Sequence, residues 1–444
     1  MICCERAGVN RLTTRWVGIP AEVFGSRDDG ANTASTRTAE HTVFAGKQRV
    51  WVEVQEEMLA NVARWKAAVP GDVAAGNEAE AESVPALLPG LVDLQINGFA
   101  GYDVNDPEVT AETVAGMAQA LWKTGVTSFC PTITTQSFTR IYRSVRAITE
   151  ACRQDRRVAR SIIGVHLEGP YVSGEDGPRG AHPAEWVRDP DYDEFQRWQE
   201  AAEGRIRIVT LAPERAGSMQ FIKKTVNSGV VVAIGHTAAD TNAIRAAIDA
   251  GATLSTHLGN GAHGFIRRHP NYIWDQLAAD ELSAGIIVDG HHLPPAVVKT
   301  FWRAKGEERL FLVSDAVAIA GLPPGRYTAL GQQVELTPAG RVNLLGTEYL
   351  AGSALELRQG VVNFMRFTGV SLARAWELAS ARPAQLVGLG NELGSLTPGQ
   401  RADFILADAR ALAQGEVRVL ATVLGGEVVS GRISDARTAD CSAR

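Results

Sequence analysis

From Leu87 onward, short apolar runs alternate with stretches of helical length. The runs cover residues 91–96, 126–132, 161–167, 206–211, 230–234, 253–258, 284–288 and 310–313. Their apolar residues are continuous and do not alternate with polar ones. That is the pattern of parallel strands buried on both faces. Residues 111–123, 139–152, 219–227, 239–249 and 295–305 read as helices between them. Eight strands with intervening helices predict an α/β fold, a (β/α)8 TIM-like barrel. An open, doubly wound sheet is the alternative.

Beyond the eighth run, residues 353–366 and 372–386 have helical patterning, and 402–407, 417–423 and 427–429 turn to β. Before the barrel, 16–23 and 50–54 read as short strands. The segment 25–40 is a polar loop rich in Gly, Thr, Ser and Asp, and 74–83 is an acidic stretch of low complexity. The β pieces at the two ends suggest one small β-sandwich domain. The expected division is 1–85 and 394–444 for that domain, with 1–40 the least patterned part, and 86–393 for the barrel.

Composition narrows the function classes. The 444 residues carry 45% hydrophobic and 21% charged side chains and a net charge of −6. That is the balance of a globular enzyme, and it gives nucleic acid no basic face. No apolar run approaches the roughly 18 residues of a membrane span, and the first 20 residues lack an apolar signal core. The five cysteines form no C-x-x-C pair, so neither a thiolate zinc site nor a disulfide framework is indicated, and a cytoplasmic location is expected. Eight of the nine histidines, however, fall within residues 166–292. That window holds the candidate chemistry.

In a barrel, catalytic groups stand at the C-terminal ends of strands. Six of the eight runs end in polar groups: Gln95 and Asn97, Glu168, His236, His257 with Asn260, Asp289 to His292, and Asp315. Two imidazoles and one carboxylate (His236, His257, Glu168) suit Zn²⁺, and also Fe²⁺, with a coordination position left for water. Asp315 would then exchange protons with that water and with a leaving group.

These residues sit in a set of motifs. They are L-x-P-G-L-V-D-L-Q-I-N-G from Leu87, H-L-E-G-P at 166–170, G-A-H-P at 180–183, G-H-T at 235–237 and T-H-L-G-N at 256–260. V-D-G-H-H at 288–292, V-S-D-A at 313–316, L-A-G-S-A-L at 350–355 and G-x-L-x-P-G-x-x-A-D-F at 394–404 follow. Together they resemble the N-acetylglucosamine-6-phosphate deacetylase family of the amidohydrolase superfamily, over roughly residues 87–429. The resemblance implies hydrolysis of the acetamide of a phosphorylated N-acetyl amino sugar, in amino-sugar catabolism, by a homodimer. It implies Glu168, His236 and His257 as metal ligands, Asp315 as general base and then acid, and His182 as a group polarising the carbonyl. Asn260, Gly261 and His292 match its substrate contacts. Gln95 and Asn97 stand where two-metal relatives carry H-x-H, which implies one divalent ion: zinc first, with iron, cobalt or manganese as alternatives.

The segment 264–277 departs from the family pattern. Arg267 and Arg268 are the candidates there for a phosphate contact that reaches a neighbouring subunit. The alternative substrates are N-acetylgalactosamine-6-phosphate and other N-acyl or cyclic amides. One motif misleads: Gly259-x-Gly261-x-x-Gly264 fits a dinucleotide fingerprint, but Arg267-Arg268-His269-Pro270 allows no helix after it. His291 is expected to be structural. His166 either lines the site or packs inside the barrel, and His263 and His269 are open between loop and site roles.

Overall fold

The computed structural model describes residues 17–22, 47–55, 58–65, 85–329, 332–347 and 350–433. The predicted loop 25–40 and the acidic stretch 74–83 lie outside the described residues. Chain contacts divide the molecule into two units, Leu91–Gly390 and the paired ends Met1–Gly90 with Asn391–Arg444.

The larger unit is built on eight parallel strands in sequential order: Leu91–Ile96, Val126–Ile133, Val165–Glu168, Ile206–Leu211, Val231–Ile234, Leu254–Ser255, Ser283–Ile287 and Leu310–Val313. The sheet closes on itself. Asp315 N–H donates to Gln95 O (2.9 Å) and Asn97 N–H to Ala316 O (2.8 Å), joining the ends of the last and first strands. The (β/α)8 barrel is therefore present and the open sheet is not. Leu94, Phe129, Leu167, Val209, Val232 and Ile286 are among its fully buried residues.

The helices start where the chain supplies acceptors for their first N–H groups. Thr110 opens Ala111–Trp122 with a capping box, Ser137 caps Phe138–Gln154 and Asp240 caps Thr241–Asp249. Two expectations are corrected. The third strand begins at Val165, because Asp155 caps a short helix, Arg156–Ser161, over the start of the predicted run. The predicted helix 372–386 is two, Leu372–Glu377 and Ala381–Leu386, separated at Ser380 by a non-helical backbone. A three-stranded antiparallel sheet after the eighth strand, Gly325–Ala329, Gln332–Leu336 and Val342–Leu344, has no counterpart in the sequence reading. Val317, Val334, Leu336 and Val342 form its core.

The smaller unit holds two antiparallel sheets. Pro85–Pro89 pairs with Phe404–Asp408, which pairs with Val419–Leu424 and then Glu427–Gly431. Val17–Glu22, Lys47–Gln55 and Met58–Trp65 form the other. Segments from both chain ends thus share one sheet, as expected of a small β-sandwich.

Candidate active site

The ends of three barrel strands bring Glu168, His236 and His257 together. His257 Nε2 lies 2.9 Å from Glu168 Oε1 and 3.0 Å from His236 Nε2, and the His236–Glu168 edge is 3.2 Å. All three side chains are buried. His236 Nδ1 lies 2.9 Å from the Pro178 carbonyl, which can only accept, so Nδ1 carries a hydrogen and Nε2 is the nitrogen turned toward the cluster, where its lone pair can serve as a ligand. Lone pairs and a carboxylate crowded at this distance repel unless a cation lies among them. A tetrahedral ion with bonds of about 2.0–2.1 Å sets its ligand atoms about 3.3 Å apart, close to the edges observed. The donor set therefore fits a divalent ion.

Without an ion, a proton is left to do that work. Burial pushes the His257 imidazolium down, but the hydrogen bond and charge of Glu168 outweigh it and lift it to about 9. Glu168 is the complement: burial raises it, and the two imidazoles hold it well below the usual carboxylate range.

The backbone is bent to make this cluster. His236, His257 and Asp315 all have positive φ, at 50°, 26° and 48°. Each cost of order 1–3 kcal/mol is the kind concentrated at functional sites. Gly261 (φ 54°) passes so close to the His236 ring that a Cβ there would lie 2.6 Å from Nδ1. Only glycine serves at that position.

Gln95 and Asn97 do not point away as idle replacements. Gln95 Nε2 donates to Glu168 Oε1 at 2.9 Å, and Asn97 Nδ2 donates to Asp315 Oδ1 at 2.8 Å. Both act as hydrogen-bond donors to acidic groups through their side-chain amide nitrogens. Asp315 is half-buried at the same cavity. Burial first and the charge of Glu168 second push its carboxyl up to about 6. His182 comes from the loop after the third strand. Its Nε2 is 3.2 Å from His236 Nε2 and its Nδ1 is 2.6 Å from Thr135 Oγ1. Burial, then the neighbouring His236, pushes it down to about 3, so it is neutral at ordinary pH.

Asn97, Glu168, His182, His236, His257 and Asp315 line one cavity of about 590 Å³, with Asn260, Gly261 and His292 also on its wall. Asn260 Nδ2 donates to the His257 carbonyl. Arg267 and Arg268 are not brought to it: residues 264–270 form an exposed loop, where both carbonyls accept from Asn271 Nδ2. The cavity's own cation is Arg140, which the sequence reading missed. It lies at the start of the second helix with no motif around it. Thr135 was missed as a site residue too, and Asp289 stands in the sequence reading only as a polar strand-end group within V-D-G-H-H, with no role assigned to it.

The remaining histidines resolve. His166 lies beneath the cluster, with Nδ1 3.0 Å from Leu94 O and Nε2 2.7 Å from Thr210 Oγ1, so it packs inside the barrel. His291 Nε2 donates to Ala339 O, a structural contact. His263 bridges Tyr272 and Glu175, and His269 is on the exposed loop. No helix follows Gly264 before Tyr272–Ala278, so the glycine pattern is not a nucleotide fingerprint.

The profile of the amidohydrolase family matches residues 86–429. N-acetylglucosamine-6-phosphate deacetylase of Bacillus subtilis (strain 168) is 34% identical over 353 residues, 79% of this chain and 86% of that protein. N-acetylgalactosamine-6-phosphate deacetylase of Escherichia coli O157:H7 is 35% identical over 323 residues, covering 73% and 84%. Among solved structures, a variant N-acetyl-D-glucosamine-6-phosphate deacetylase from Mycobacterium smegmatis, in complex with N-acetyl-D-glucosamine-6-phosphate, superposes with a TM-score of 0.75 at 29% identity, covering 88% of this chain and 96% of that one. The chain belongs to the amidohydrolase family.

Proposed function

We propose that this chain hydrolyses the acetamide of N-acetylglucosamine-6-phosphate to glucosamine-6-phosphate and acetate. The observation that carries this reading is the buried triangle of Glu168, His236 and His257 with Asp315 on the same cavity wall. It stands in a chain 34% identical to a deacetylase of that substrate over 79% of its length.

A divalent ion held by Glu168, His236 and His257 supplies Lewis acidity to the carbonyl and acidifies water. The reading takes one ion, zinc before iron, cobalt or manganese, since two imidazoles and a carboxylate suit it and Gln95 and Asn97 are poor ligands. Asn97 occupies one oxygen of Asp315. The other takes the proton of the attacking water and delivers it to the departing nitrogen. His182, neutral and next to His236, donates to the developing oxyanion. Asn260, Gly261 and His292 hold the sugar.

The phosphate is assigned to Arg267 and Arg268 of a second copy in a homodimer. Their loop carries Phe265 fully exposed and Ile266 well exposed, and the helix that follows exposes Trp274, the character of a surface awaiting a partner. Among the described residues no helix is long and apolar enough to cross a membrane. The buried, unpaired thiols of Cys130 and Cys152 suit a reducing cytoplasm. The domain division proposed is a hydrolase barrel at 86–393 and a small β domain from 1–85 and 394–444.

A second reading, N-acetylgalactosamine-6-phosphate as substrate, is favoured by the 35% identity to a deacetylase of that sugar. Acetate release from both phosphorylated sugars and from unphosphorylated N-acetylglucosamine, with metal content measured on the same sample, decides between them. Loss of release on removing phosphate supports the phosphate contact. No release from any of the three by metal-loaded protein overturns the deacetylase reading.

A further inference from the structure

His292, one of the residues assigned to hold the sugar, is paired with Asp289, to which the reaction scheme gives no part. They follow the seventh barrel strand, Ser283–Ile287, on a tight turn. Asp289 Oδ1 accepts the backbone N–H groups of His291 and His292, both at 2.8 Å. Its Oδ2 lies 2.6 Å from His292 Nδ1. The two side chains are only 7% and 9% exposed, and His292 lines the cavity. Burial pushes the Asp289 carboxyl up, but its contacts with His292 outweigh that and keep it below the usual carboxylate range.

An ionised carboxylate has no hydrogen to give. The short contact therefore places the ring hydrogen on Nδ1. A neutral ring with its hydrogen on Nδ1 has a lone pair on Nε2, the nitrogen left for the cavity. Such a nitrogen accepts a hydrogen bond and cannot donate one. His182, on the same wall, would serve the opposite sense toward a carbonyl.

We propose that Asp289 is a positioning residue that fixes the His292 tautomer, making His292 Nε2 an acceptor for a hydroxyl of the substrate. The sugar hydroxyl as occupant rests on the deacetylase reading; the tautomer does not. The consequence is a specificity rule: a substrate group facing His292 must carry a hydrogen. Ether or carbonyl oxygens at that place meet a lone pair and are rejected.

Asp289→Asn is the informative change, since it is isosteric. The amide oxygen keeps the two backbone N–H contacts, while the amide NH₂ replaces Oδ2 and donates to Nδ1. That forces the hydrogen to Nε2. The test uses the metal-loaded full chain with ¹⁵N-labelled histidine rings and reads the His292 tautomer by NMR. It is joined to kcat/KM for N-acetylglucosamine-6-phosphate in Asp289→Asn, His292→Asn and the double variant. The expected results are an Nδ1–H ring in the parent, an Nε2–H ring in Asp289→Asn, and a fall in kcat/KM of at least about tenfold. In the His292→Asn background, Asp289→Asn adds less than about twofold. A parent ring protonated on Nε2 or on both nitrogens overturns the proposal, as does an equal loss in both backgrounds. If the parent turns over none of the sugar phosphates, the deacetylase reading fails, and the tautomer measurement still decides the pair.

Discussion

Asn97 Nδ2 donates a 2.8 Å hydrogen bond to Asp315 Oδ1 across the seam where the first and last barrel strands meet. Barrel closure thus aligns the group that the reaction requires as base and acid. Asp315→Asn removes that base and keeps the shape. Turnover is expected to fall about 10²- to 10⁴-fold, with metal content unchanged. Activity within tenfold of the parent would reject the proton-transfer role.

Asn97 itself is predicted to tune that base. Its hydrogen bond holds Asp315 down against burial and the charge of Glu168. Asn97→Ala removes the restraint, so the acid limb of the kcat/KM profile moves to higher pH. The loss of a bond to a charged group, about 1.5–3 kcal/mol, corresponds to tenfold or more in rate below the new limb. A profile measured from pH 5 to 9 checks it, and an unmoved limb would leave Asn97 a packing residue.

Removing the metal should make stability depend on pH in a particular window. In the ion-free cluster His257 is raised from an ordinary 6.5 to about 9, chiefly by Glu168 acting against burial. A raised histidine contributes stability that is full below pH 6.5 and lost as pH rises through about 9, at most about 3 kcal/mol. The thermal midpoint of chelated protein should therefore fall across that window relative to metal-loaded protein. Comparing the two forms cancels Lys305, which burial lowers to about 8 and which acts with the opposite sign above that pH. Parallel curves would show that no proton takes the ion's place.

Thr135 is expected to act through His182. Its Oγ1 is 2.6 Å from Nδ1, and donation in that direction leaves Nε2–H toward the cluster. Thr135→Val keeps the shape and loses the hydroxyl. We expect kcat to fall about tenfold, the worth of one buried hydrogen bond, with KM little changed. Thr135→Ser should restore most of it. A Ser variant as slow as the Val one would reject a role for the hydroxyl.

The barrel was legible because its strands are buried on both faces, which leaves uninterrupted apolar runs such as 310–313 at each strand. The cluster was legible because strand ends place residues distant in sequence, Glu168 and His257 for example, on one rim. The three-stranded sheet between Gly325 and Leu344 was not, because its strands mix exposed and buried residues over only a few positions. Arg140 and Thr135 escaped for a different reason. Each acts by where it is folded, and a lone arginine or threonine carries no spacing signal. Arg267 and Arg268 were singled out by the family resemblance of their segment, yet within one chain they lie on an exposed loop.

Asp93 offers the last prediction; like His257 it binds its proton more tightly in the folded chain, but in a lower pH window. It is fully buried on the first strand; Oδ1 accepts from the backbone N–H groups of Gln95 and Ser314 at 3.3 and 3.2 Å, and Oδ2 has no partner. Burial pushes its carboxyl from 3.8 to about 7, the hydrogen bonds from Ser314 only partly opposing. Between those values the folded chain binds more protons than the unfolded one, so stability falls as pH rises from about 4 to 7. Asp93→Asn keeps the acceptor and removes the charge. The stability of Asp93→Asn minus that of the parent, from urea unfolding of the metal-loaded proteins, should therefore rise by a few kcal/mol across that window and level off above pH 7. A difference that stays flat would mean that Asp93 is ionised in the folded protein throughout, and that Oδ2 finds a donor in solution.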